Sequence, residues 1–63
     1  MKIKSLITWP KPDGEGVIEG NVYDVQDLSN FPRQVGVMSE DCGGLTWLSA
    51  DYLGIQEFEV IDL

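Results

Sequence analysis

Nowhere in these 63 residues does an apolar stripe at i, i+3, i+4 and i+7 persist for three helical turns. The recurrent pattern is alternation at period two, in short runs broken by Gly, Pro, Asn, Asp and Ser. A helical bundle is excluded, and an all-β fold is predicted. Ile3, Ser5 and Ile7 share one face of a first strand, with Lys4, Leu6 and Thr8 on the other. Trp9-Pro10-Lys11-Pro12-Asp13-Gly14-Glu15-Gly16 follows. Two prolines without backbone donors and two glycines free to take positive φ make it a loop, neither helix nor central strand. Val17-Ile18 is a short apolar touch within that loop, and Glu19-Gly20-Asn21 turns the chain.

A second strand is predicted over 22–28, with Tyr23 and Val25 facing one way and Asp24 and Gln26 the other. Ser29-Asn30-Phe31-Pro32 is a turn, because the residue before a proline is pushed to extended geometry. Residues 34–38 form a third strand. Ser39-Glu40-Asp41-Cys42-Gly43-Gly44 is a polar hairpin tip, with Gly43-Gly44 able to supply left-handed φ. A fourth strand covers 45–48. Ser49, a helix-start residue, precedes the stop residue Gly54 by only five positions, a spacing that suits one 3₁₀ turn over 49–53. Residues 57–63 alternate acids with apolar residues and form the last strand.

Five short strands are too few for a two-sheet sandwich of useful size but can curl into one small, partly open barrel, a single domain over 1–63. Its expected core is Ile3, Ile7, Val22, Val25, Val35, Val37, Leu45, Leu48, Phe58 and Val60. So short a chain has a narrow stability margin, and an intermolecular contact would widen it.

Two stretches carry a resemblance. Glu19-Gly20-Asn21-Val22-Tyr23-Asp24-Val25 resembles the Gly-x-x-Tyr-x-Val strand entry of very small SH3-like barrel proteins encoded by bacteriophages. Trp47-Leu48-Ser49-Ala50-Asp51-Tyr52-Leu53 with Phe58-Glu59-Val60-Ile61 resembles the 3₁₀-turn-plus-final-strand ending of the same group. The resemblance covers 19–63 by short motifs and 1–18 by element order. It implies a five-stranded SH3-like barrel and a phage or mobile-element accessory protein. The chain departs from peptide-binding SH3 domains: it lacks the paired tryptophans after the acidic hairpin and the Tyr-rich opening strand.

Charge narrows the function. Residues 1–33 hold all four bases and five acids, whereas 34–63 hold six acids (Glu40, Asp41, Asp51, Glu57, Glu59 and Asp62) and no base, for a net of −7 overall. An acidic chain is a poor direct binder of phosphate backbones. No apolar run approaches the ~20 residues of a membrane span, and the apolar N-terminal stretch is too short for a signal peptide. Without His, and with no nucleophile beside a positioned base, an enzyme is not expected. No cofactor is expected either: Asp13-Gly14-Glu15-Gly16 lacks the further acids of a calcium loop, and Cys42 has no second ligand at zinc spacing. A cytoplasmic protein with Cys42 reduced is expected.

The expected function is therefore non-enzymatic docking on a host or viral protein with a basic surface. The expected site is an acidic, aromatic rim of Trp47, Tyr52, Glu40, Asp41 and Asp51, in which acids steer and aromatics hold. On the fourth strand either Trp47 or Leu48 faces the core, and a partly exposed Trp47 is the favoured arrangement. Two other readings stand beside this one. The acidic half can mimic a nucleic acid and occupy the groove of a DNA- or RNA-binding protein, or edge strands can pair between copies in a structural homo-oligomer.

Overall fold

The computed structural model describes residues 1–11, 14–50 and 53–62. Within them the fold is all-β: β1 (Lys2–Ser5), β2 (Trp9–Lys11), β3 (Gly14–Val17), β4 (Val22–Asp27), β5 (Gln34–Met38), β6 (Leu45–Ser49) and β7 (Phe58–Asp62). Five of these form one open antiparallel sheet in the order β6-β5-β4-β1-β7, and β2 and β3 form a separate two-stranded sheet.

Strand β4 joins two halves of the large sheet. Its first residues pair with β1 (Lys2 opposite Asp24, Lys4 opposite Val22), and its last pair with β5. Val25 lies opposite Val37 but Asp27 opposite Gly36, so Gln26 is the extra residue of a bulge. A bulge bends and twists its strand, which lets one strand serve both halves. Chain order then follows simply: β4, β5 and β6 form a meander, and β7 returns to pair with β1.

Alternation decides what is buried. In β1, Ile3 and Ser5 point inward and Lys2 and Lys4 outward. In β6, Thr46 and Leu48 are inward, with Leu45 and Trp47 outward. The core is Ile3, Val17, Tyr23, Val35, Val37, Leu48 and Phe58, with Met1, Ile7, Val25 and Ala50 packed against it. Its buried hydroxyls are satisfied, as burial requires. Ser5 Oγ donates to the Ile7 carbonyl (2.6 Å), and Ser39 Oγ and Thr46 Oγ1 bond each other (2.6 Å).

Several expectations are corrected. The Pro- and Gly-rich segment is not wholly loop, because it supplies β2 and β3, and among the described residues seven strands form rather than five. Pro10 is accommodated because β2 pairs only with β3, so no second ladder needs its missing donor. Val17 belongs fully to the core, as does Tyr23. Val22 and Leu45 are exposed: Val22 sits opposite outward Lys4, and Leu45 opposite outward Met38. Val60 does share the inward face, opposite Ile3, yet remains 38% exposed. At the hairpin tip it is Cys42 that takes the left-handed conformation (φ 57°) together with Gly44 (φ 145°). The 3₁₀ turn expected over 49–53 includes Asp51 and Tyr52, which lie outside the described residues.

Candidate functional site

The outer face of β5 and β6 carries three partly exposed large apolar side chains, Met38, Leu45 and Trp47. Pairing sets Gln34 opposite Ser49, Gly36 opposite Trp47 and Met38 opposite Leu45. Directly opposed residues point to the same side, so these six form one patch. Trp47, Met38 and Leu45 are each between a third and a half exposed. Leu48, the neighbour on the other face, is fully buried, so the β6 alternation places Trp47 outward.

Gly36 makes the patch what it is. A Cβ at Gly36 would come within 3.1 Å of Trp47 Cη2, 3.2 Å of Trp47 Cζ2 and 3.1 Å of Asp27 Cβ. The indole therefore lies across bare backbone, with Asp27 immediately beyond it. A Cβ at position 36 would require the ring or Asp27 to give by a few tenths of an ångström. The Ser29 hydroxyl and backbone N–H (N–H to Oδ1 2.8 Å) hold the Asp27 carboxyl below its usual range, so this flank stays anionic near neutral pH. An aromatic face braced by backbone and bordered by a carboxylate suits a partner's basic side chain.

Glu40 and Asp41 lie at the hairpin end of β5 and β6 and are engaged within the chain. Glu40 Oε1 accepts from the Tyr23 hydroxyl (2.5 Å) and Asn21 Nδ2 (2.7 Å). Tyr23 in turn accepts from the Ile18 N–H (2.8 Å), so one phenol ties the end of β3 to the hairpin. The Tyr23 bond, then the Asn21 bond, holds the Glu40 carboxyl below its usual range. Asp41 accepts from the Gly43 N–H (3.0 Å) and pairs with Lys11 (3.3 Å), and the Gly43 bond is the larger cause of its lowered pKa. The base for Asp41 comes from β2. The acidic half holds no base of its own, and nothing in the sequence signals this tertiary pairing.

The opposite end of the same strands holds Gln34, Ser49 and Ala50, whose N–H donates to the Arg33 carbonyl (2.7 Å). Four residue steps separate that end from Met38 and Leu45, a span of about 13 Å at strand rise. The structure thus places Trp47 between the ends, with Glu40 and Asp41 beyond Leu45. The other expected rim residues, Asp51 and Tyr52, lie outside the described residues, as does Asp13 of the acidic loop. Among the described residues no cluster of three or more His, Cys, Asp and Glu is placed to hold a metal, and no helix is long and apolar enough to cross a membrane. Asp27 and Gly36 were missed because only the β4 bulge and the β5 register bring them beside Trp47.

Compared with protein families, curated proteins and solved structures, the chain matches none.

Proposed function

We propose that this chain is a non-enzymatic, SH3-like protein-binding module that docks on a basic partner surface through the outer face of β5 and β6. The observation that carries the reading is the Trp47 indole laid across Gly36 beside ionised Asp27, with Met38 and Leu45 exposed alongside. Aromatic anchors on a supported, partly dehydrated floor are where binding energy concentrates. The remaining acids of a chain with net charge −7 steer a basic partner toward it.

The strand order supports the SH3-like part of the reading. The resemblance rests on a first strand, a long loop with acids and glycines, three strands joined by hairpins and a last strand, and the described strands follow that order except that the loop supplies β2 and β3. Against a nucleic-acid decoy stand the acids already engaged at home. Glu40, Asp41 and Glu57 accept hydrogen bonds from Tyr23, Gly43 and the Ser49 N–H respectively. A decoy needs such groups presented outward together.

Capture from a cell lysate, run in parallel with the native chain and with Trp47→Ala at low and high salt, tests the proposal. A protein retained by the native chain at both salt levels and lost with Trp47→Ala is the expected result. Equal retention by the two chains would remove Trp47 from the site. Retention that vanishes at high salt for both would favour charge mimicry instead.

A further inference from the structure

A second concave site lies apart from the Trp47 face. Phe31, Pro32, Arg33, Ala50, Gln56, Phe58 and Val60 line a pocket of about 350 Å³. Its origin is the unfinished inward face of β7. Phe58 and Val60 both face the core side, opposite Ser5 and Ile3, but the sheet ends at β7 and the pocket leaves Val60 uncovered. An inward-facing valine at 38% exposure is a core position without its covering group.

The walls are fixed from the backbone. The Arg33 N–H donates to the Asn30 carbonyl (2.9 Å), and the Arg33 carbonyl accepts from Ala50 (2.7 Å), pinning the 28–33 turn to the chain beyond β6. Gln56 Nε2 donates to the Phe58 carbonyl (3.0 Å), which orients its amide and leaves a second N–H on the same nitrogen. Among the described lining residues, Arg33 and Gln56 thus bring two donor-bearing side chains, and the others are apolar.

Charge decides the occupant. Lys2 pairs with Asp24, Lys11 pairs with Asp41, and Lys4 stands opposite Glu59 across β1 and β7. Arg33 has no ion-pair partner among the described residues. The net charge of −7 opposes an anion at long range, but screening over about 8 Å at physiological salt leaves the adjacent guanidinium dominant. The volume is at the small end of the ~300–1,000 Å³ range of ligand pockets, so one residue fills it. The C-terminal residue of a polypeptide carries an apolar side chain and a carboxylate on a single Cα, the pairing that these walls and donors match. A free amino acid would add an ammonium group that Arg33 repels.

We propose that this pocket captures the C-terminal residue of a protein partner. The apolar side chain packs against Phe31, Phe58 and Val60, and the α-carboxylate meets Arg33 and Gln56. The site is distinct from the Trp47 face and does not depend on it.

The probe is an N-acetylated tetrapeptide, Ser-Gly-Ser-Phe, with a free carboxylate, titrated into the ¹⁵N-labelled full chain and compared with its C-terminal amide. The free acid is expected to shift the backbone amides of Phe31, Arg33, Ala50 and Val60 and the Gln56 side-chain amide. The amide peptide should bind about tenfold or more weakly, and Arg33→Gln should lose as much, with Arg33→Lys recovering part. The structural bonds of Arg33 run through its backbone, so Arg33→Gln keeps them, and unchanged signals away from the pocket verify its fold. No shift at these residues with millimolar free acid overturns the proposal. So does equal binding of acid and amide, full binding by Arg33→Gln, or shifts confined to the Trp47 face.

Discussion

Tyr23 does more at the scale of a single residue than its place in the core requires. Its hydroxyl accepts from Ile18 and donates to Glu40, so Tyr23→Phe leaves a donor and a carboxylate short of a partner at once. A loss of about 1–3 kcal/mol in chemical denaturation is expected. The same contact shapes the pH dependence. Folding lowers the Glu40, Asp41 and Asp27 pKa values, so the stability they contribute is present above the ordinary carboxylate range and is lost as pH falls through the folded values. Tyr23 runs the other way. Burial, then its bond to Glu40, raises its pKa, so that contribution is intact below the ordinary value of 10.0 and is lost as pH rises through the folded value. Unfolding measured against pH should show a plateau between these limbs, and Glu40→Gln should flatten the acid limb. An acid limb unchanged by Glu40→Gln would contradict the assignment. At the hairpin tip, exposed Cys42 takes a left-handed φ at a cost to any residue with a Cβ. Cys42→Ser should leave the melting temperature nearly unchanged, and Cys42→Gly should gain up to about 1 kcal/mol.

For single elements, strand β6 is the sharpest check. Leu48 is fully buried and Leu45 is 40% exposed. Leu48→Ala should cost about 2–5 kcal/mol and Leu45→Ala about 1 kcal/mol or less, and comparable losses would mean the strand is registered the other way. The period-two alternation was legible in the sequence, as were the strands around 22–27, 34–38, 45–49 and 58–62, but the inward face of β6 was not: Leu45 and Leu48, on opposite faces, were both expected in the core. Less legible was the 9–17 segment, where Pro and Gly signal a break but a short two-stranded pairing still forms. Gly16 explains how: a Cβ there would sit 2.3 Å from the Trp9 carbonyl oxygen, so the glycine permits the close approach of β3 to β2. Nor could alternation alone tell Val22 from Tyr23, because inward direction depends on which residue of β1 lies opposite. Of the candidate site, Trp47 was readable from its strand. Its support by Gly36 and Asp27 was not, because a bulge one strand away sets that register.

Over the whole molecule, seven excess negative charges are held within a radius of gyration of 10.5 Å, close to the ~10.6 Å expected of any compact chain of this length. Self-repulsion therefore works against an ordinary fold rather than swelling it. Among the described residues two of the four bases are in ion pairs, which salt weakens, while the excess acids repel one another, which salt relieves; at a net charge of −7 the second effect is expected to be the larger. The melting temperature should rise as sodium chloride is increased from low to physiological levels. A fall would show that the ion pairs dominate. Strands β6 and β7 end the large sheet, and Glu59 and Asp62 on β7 discourage pairing between copies in the manner of charged edge strands.

Whether Trp47, braced on Gly36, anchors a basic protein partner is decided by binding kinetics. The direct measurement is the association and dissociation rates of the captured partner with the native chain and with Trp47→Ala, across a salt series. Dissociation about tenfold or more faster with Trp47→Ala, little change in association and a shallow salt dependence of the native dissociation rate are expected. Unchanged dissociation with Trp47→Ala, or native affinity that collapses steeply as salt rises, would contradict that anchoring.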